Sequence, residues 1–176
     1  RMLKVVRAAC FKVLKNEEVD LNDFDKIISF IREYADGHHH NKEEIMLFNR
    51  MIENLGLLGE KLVKHGMLVE HDFGRLYVQN FEEALKKVKA GDEEAKLDLI
   101  ANAISYTDLL TRHIDKEDRV VYTFAQREMK NMISTTRKIV NGGILAMVTP
   151  ISINWTVNYL LNHLVLERET MSKGRR

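Results

Sequence analysis

Apolar residues recur every three or four positions along most of this chain, the spacing of a helix with one buried face. The first such stretch covers residues 2–14, and the third covers about 60–89. Between them a longer stretch opens near Asp20 or Asn22, either of which can cap a helix. It continues to about residue 55. Strand alternation is confined to short ambiguous runs, so the pattern predicts an all-α protein.

A fourth helix is predicted after Asp92, whose carboxylate can cap it, and it fades between residues 127 and 140. Pro150 follows a threonine and favours a fifth helix over about 150–171. Short connections between long helices are typical of antiparallel neighbours. The sequence therefore predicts an up-and-down antiparallel four-helix bundle with an additional C-terminal helix.

Length and composition set the broad class. At 176 residues the chain suits one bundle over residues 1–140 and a C-terminal extension over 141–176. That extension is uncharged and glycine-led at its start, so it could cover the bundle end or form a homodimer contact. The formal net charge of +1 gives no electrostatic footprint for nucleic acid.

Compartment follows from cysteine usage and hydropathy. Cys10 is the single cysteine and sits in an apolar stripe, which suits a core thiol in a reducing, cytoplasmic setting. No apolar run reaches the ~20 residues that a membrane-spanning helix needs.

Histidine and carboxylate side chains recur at helical spacing in three places. Residues four apart share one helix face, as His39 does with Glu43, and His113 with Glu117. His40 and Glu44 form the same pair about 100° further round the helix. The predicted third helix contributes His71.

Counting residues from the helix breaks brings these positions to one depth. Glu43 lies thirteen residues before Gly56, and His71 lies twelve after Gly59. At ~1.5 Å per residue the two are level to within an ångström or two. The same count across Gly91 levels His71 with His113. Three helices thus bring histidine and carboxylate to one layer in the middle of the bundle.

Such a layer has two interpretations. Imidazole nitrogen and carboxylate oxygen are ligands for iron, zinc and manganese, and glutamates from separate helices can bridge two ions. Alternatively, the residues are surface or hydrogen-bonded core groups. Burying several of them without a metal would be costly, which favours the metal site.

The motifs also resemble a known family. The runs from His39 to Phe48, from Glu70 to Arg75 and from His113 to Asp118 are similar in order, spacing and flanking residues to hemerythrin-like (HHE cation-binding) domains. The resemblance covers roughly residues 1–129. It implies two iron ions in an antiparallel bundle, in preference to zinc or manganese. By motif position it also implies a ligand set, which comprises His39, Glu43, His71, His113 and Glu117.

Two departures from the family pattern qualify the function. Oxygen-carrying hemerythrins have a second histidine four positions after the one matching His71, and Arg75 stands there. The first helix has no histidine, and the family pattern would place its ligand five residues before Arg1. A rival source is His163, in a segment that resembles the same motif.

The resemblance implies a protein that binds or reduces O2, peroxide or nitric oxide, as a sensor or scavenger. Whether it turns over substrate, as a di-iron peroxidase or reductase would, is open. The alternative from another class is an iron-responsive interaction module, in which metal occupancy controls folding and partner binding. A zinc or manganese hydrolase has no supporting nucleophile or phosphate loop.

Overall fold

The computed structural model describes residues 1–17 and 20–141, with side chains up to Asn131. Within these residues the chain forms helices and no strands. We label four helices: α1 (Met2–Leu14), α2 (residues 21–54), α3 (56–89) and α4 (95–141). The expected fifth helix over 150–171, and the extension over 141–176 that holds it, lie outside the described residues apart from residue 141. The all-helical class is confirmed.

Three of the four helices change their winding along their length. In α2, Leu21–Phe30 and Asn49–Asn54 are α-helical, whereas Ile31–His40 and Glu43–Phe48 are π-helical. In α3, Gly56–Leu62 and Leu68–Lys89 are α-helical around a π-helical Val63–Met67. In α4, Ala95–Lys116 and Tyr122–Asn141 flank a π-helical Glu117–Val121. Wide π turns inside α-helices are frequent at functional sites.

The helix ends follow local chemistry. The Asp20 carboxylate accepts a hydrogen bond from the Asn22 backbone N–H at 2.9 Å, and Asp92 accepts from the N–H groups of Glu94 and Ala95. Both residues therefore cap helices, as predicted. Gly56 has a φ of +62°, which glycine adopts at little cost. The chain turns there, so α3 begins at Gly56 and not near Glu60.

Ion pairs show that α2 and α3 run antiparallel. Lys89 contacts Asp25, Arg32 lies 3.4 Å from Glu82, and Arg75 lies 2.8 Å from Asp36. Residue numbers rise along α2 as they fall along α3, which is the order of an antiparallel pair. The up-and-down arrangement of these helices matches the prediction.

Two apolar clusters fill the bundle interior, and we call them the upper core and the lower core. The upper core draws on all four helices and comprises Val6, Cys10, Phe24, Ile27, Ile28, Ile31, Val78, Phe81, Ala84, Leu85, Val88, Ala95, Leu99, Ala103, Tyr106, Leu109 and Leu110. The lower core draws on α2, α3 and α4 and comprises Leu47, Phe48, Met51, Val63, Met67, Val121, Tyr122, Ala125 and Met129. Along each of these three helices a polar layer separates the two cores.

Candidate metal centre

The layer between the cores is polar and largely buried. Its buried side chains are His40, Glu43, His71, His113 and Glu117. His39 joins them with 18 % of its side chain exposed. Ionisable groups removed from water are costly unless they are paired or bind a metal. A cluster of this kind therefore needs a compensating interaction.

These side chains form two groups that share one glutamate. In the first group, ligand atoms of His40, Glu43, His71 and His113 all lie within 4.8 Å of one another. In the second, the same holds for His39, Glu43 and Glu117. The two groups use the two oxygens of Glu43 differently, because Oε1 lies 3.6 Å from His39 Nε2 and Oε2 lies 3.7 Å from His71 Nε2. A carboxylate in this position can bridge two ions.

Carboxylates behind two of the histidines orient their rings. His71 Nδ1 lies 2.7 Å from Glu44 Oε1, and His113 Nδ1 lies 2.9 Å from Glu70 Oε2. Ionised carboxylates accept hydrogen bonds, so each Nδ1 is the protonated, donating nitrogen. His71 Nε2 then carries a lone pair and lies 3.2 Å from His113 Nε2, which in turn lies 3.2 Å from Glu117 Oε1. A cation here would be held by imidazole and carboxylate together.

The pKa values of these histidines move in opposite directions. Burial lowers the pKa of His71 far below its usual range, and repulsion from His40 and His113 adds to this effect. Burial also lowers the pKa of His113, but Glu117 and Glu70 outweigh it, so the net shift is upward. His71 is therefore a neutral imidazole with an available lone pair at ordinary pH.

His40 is packed directly against the neighbouring imidazoles. Its ring stacks on that of His71, with centroids 4.0 Å apart and an angle of 13° between planes. It also meets His113 edge-on at 5.7 Å. Sequence reasoning paired His40 with Glu44 and left it outside the ligand set. The structure instead joins it to Glu43, His71 and His113.

Tyr122 reaches the layer from the lower core. Its hydroxyl donates a hydrogen bond to Glu43 Oε1. Tyr122 is buried, so this bond forms away from bulk water. It restricts the orientation of the shared carboxylate.

The structure brings the five residues expected at the site together, in two groups that share Glu43. Glu44 and Glu70 contact the histidines from behind, whereas Asp118, His38 and His65 are exposed. His163 and any position before Arg1 lie outside the described residues. The expectation of a first-helix ligand stays a prediction.

The donor set fits a first-row metal ion. Neutral imidazole and carboxylate suit iron, zinc and manganese, and hydrogen bonds from ligand histidines to carboxylates are the usual surroundings of such ions. An antiparallel helical bundle with a buried layer of histidine and glutamate defines a class of cation-binding helical proteins.

Comparison with known families makes this class specific. A family model described as Hemerythrin HHE cation binding domain matches residues 1–125. The chain belongs to the hemerythrin HHE cation-binding family. A second model, a domain of unknown function (DUF3783), matches residues 122–171. Searches of curated proteins and of solved structures gave no match. In the described part of the chain, no helix has the length and apolar character that crossing a bilayer requires.

Proposed function

We propose that this protein binds two iron ions in the layer between its cores, and that the iron binds or reduces O2, peroxide or nitric oxide. One ion would lie among His40, His71, His113 and Glu43, and the other among His39, Glu43 and Glu117. Iron in such a site supplies a one-electron couple and an open coordination position for a small ligand. Membership of a cation-binding family supports the metal.

The observation that carries the proposal is the shared Glu43. Its two oxygens face different histidines on different helices, at 3.6 and 3.7 Å. The six side chains thus divide into two groups that would each hold one ion, and Glu43 belongs to both groups.

The two positions differ in chemistry. The first is rich in histidine and all its members are buried. The second has one histidine, His39, whose side chain is partly exposed. We infer that a small ligand would approach the second group, because that group has fewer donors and its His39 is partly exposed. Burial of Glu43 and Glu117 would exclude larger molecules.

Anaerobic iron loading tests the proposal. We expect elemental analysis to find two iron ions per chain, and optical spectra to change on addition of O2, peroxide or nitric oxide. His113→Ala and Glu117→Ala should bind less iron and lose the reactivity. His65→Ala is the matched control, because His65 is an exposed histidine of α3. Iron-replete protein that is inert to all three molecules would defeat the redox part of the proposal.

The second candidate is an iron-responsive interaction module. The observation that favours it is the lower core, which among the described residues draws on three helices where the upper core draws on four. Metal binding would then add much of the stability of that half. A large loss of helicity on chelation, with no turnover, would support this function. An apo form as stable as the iron form would count against it.

A further inference from the structure

Arg75 lies on α3 one turn after His71 and gathers three carboxylates. Its Nε donates to Asp36 Oδ1 at 2.8 Å, Nη2 to Glu44 Oε1 at 2.5 Å, and Nη1 to Asp72 Oδ1 at 3.0 Å. The side chain is about one third exposed, so these bonds are partly shielded from water. A guanidinium holds several acceptors in fixed relative positions because its donors form a rigid planar fork.

Two of these carboxylates lead to histidines of the metal layer. Glu44 Oε1, which accepts from Arg75, also accepts from His71 Nδ1 at 2.7 Å. Asp36 Oδ1, which accepts from Arg75 Nε, lies 3.7 Å from His40 Nδ1. The rings of His40 and His71 stack on each other. Arg75 is therefore one carboxylate away from two adjacent imidazoles that come from different helices.

We propose that Arg75 is a positioning residue that fixes the ring orientation and tautomer of His71, and through Asp36 the orientation of His40. This inference rests on the proposed metal site, because its consequence is tighter binding of the ion that His40, His71 and His113 would hold. With Glu44 held by Arg75, the His71 Nδ1–H has an acceptor in a fixed place, and the Nε2 lone pair points into the layer. Removing partners of this kind typically weakens metal binding 10–100-fold.

Two other residues, Asp72 and Lys116, provide controls for the role of Arg75. Asp72 accepts from Arg75 but has no histidine contact among the bonds described here, so Asp72→Asn is the matched control. Lys116 contacts Glu70, which accepts from His113. This second chain of contacts supports another histidine and does not include Arg75. Lys116→Met should therefore act on His113 and leave His71 unchanged.

The first measurement needs no metal. Nitrogen-15 NMR of the imidazoles in the apo protein reports which ring nitrogen carries the proton. We expect His71 in the wild type to be protonated at Nδ1, and Arg75→Met to lose this preference. Arg75→Lys should restore part of it, because a lysine can hold Glu44 but cannot hold three carboxylates at once. Asp72→Asn should match the wild type.

The second measurement is the affinity for cobalt(II), obtained by competition with a chelator, together with its absorption spectrum. Arg75→Met should bind cobalt 10–100-fold more weakly, whereas Asp72→Asn should bind as the wild type does. Wild-type His71 tautomer and wild-type cobalt affinity in Arg75→Met would overturn the inference. A wild type that binds no metal would instead refute the proposed function, and the NMR result would still decide the role of Arg75.

Folding of the variants is checked by circular dichroism. Should Arg75→Met fail to fold, Arg75→Lys decides the question, because it leaves Glu44 in place and removes the planar fork that holds Glu44 and Asp36 together. There too, an unchanged His71 tautomer would overturn the inference.

Discussion

Among the described residues, the upper and lower cores use the same three helices, and the upper core also contains residues of α1. Val6 and Cys10 of α1 are buried there, next to residues such as Phe24 and Phe81. Among the described residues, the lower core has no member from α1. Fewer helices bury less apolar surface, and buried apolar area is the main source of stability. Among the described residues, the upper core therefore buries more apolar side chains than the lower core, and these side chains come from one more helix.

The polar layer can lower or raise the stability of the bundle, depending on whether a cation is bound. Without a cation, the burial of its ionisable groups costs free energy. With a cation bound, as proposed, the same groups would crosslink α2, α3 and α4. A ligand that binds only the folded state adds ~2.7 kcal/mol when its free concentration is ~100 times its Kd.

Removing metal should produce the largest effect. We expect chelation of the iron-loaded protein to speed amide hydrogen exchange strongly in the lower core, over residues 47–55 and 63–68. Exchange in the upper core, over residues 77–88 and 99–110, should change much less. The reason is that the layer and the lower core lose their crosslink while the upper core keeps four helices. Mass spectrometry of peptides from both regions measures this.

The control for that experiment is the apo protein with added magnesium, which prefers oxygen ligands and should not restore protection. Equal acceleration in both cores would show that the bundle is a single cooperative unit, and the comparison between halves would fail.

Truncating one phenylalanine in each core should give the next largest effect. Phe81 is fully buried and meets Phe24 edge-to-face, with ring centroids 5.8 Å apart. Phe81→Ala should cost about 3–5 kcal/mol of unfolding free energy, measured by urea denaturation. Phe48→Ala removes a ring whose centroid is 5.7 Å from that of His71. It should cost a similar amount and also weaken metal binding.

Val120, exposed on the surface, gives the control, because Val120→Ala should change stability by less than about 0.5 kcal/mol. If Phe81→Ala reduced metal affinity as much as Phe48→Ala does, that result would contradict the separation of the two cores.

Two glycines of α3 should respond to alanine in opposite directions. A Cβ at Gly59 would lie 2.6 Å from the Met51 carbonyl oxygen, so Gly59→Ala should destabilise by about 1–3 kcal/mol. A Cβ at Gly74 would meet Leu110, Leu109 and Tyr106 at 3.7–3.9 Å, which is ordinary contact. Because alanine favours a helix over glycine, Gly74→Ala should stabilise by up to about 1 kcal/mol. Thermal unfolding of the two variants provides the test.

The smallest effect is expected at Cys10. Burial raises the pKa of its thiol to about 11, against the opposing influence of Arg7. Few thiolates form at neutral pH, so labelling by a thiol reagent should be slow in the folded protein. Chelation should leave the rate nearly unchanged, because Cys10 is in the upper core. Rapid labelling after chelation would show that α1 also loses its packing against the upper core.

The helices could be predicted from sequence because their causes are local. Asp20 and Asp92 cap through their own side chains, and the apolar period marks each buried face. The convergence of His71 and His113 was also predictable, because rise per residue is nearly constant and helix breaks are visible. These features need no knowledge of how distant side chains pack.

Other features depend on contacts that a single helix does not encode. Residues 31–40 are π-helical, a winding that the α-helical spacing rule does not describe. His40 stacks on His71 and joins the layer, although that rule paired it with Glu44 alone. Arg75 bonds to Glu44 and Asp36 across two helices, and no spacing rule indicates this. Sequence reasoning identified Arg75 as a departure from a family pattern without finding its contacts.

The helix α2 carries His39, His40 and Glu43, and these residues contribute to both groups of the layer. A displacement of α2 along its axis would therefore disturb both groups together. If two ions bind as proposed, they should load cooperatively, because the first ion would fix α2 in the position that the second ion requires.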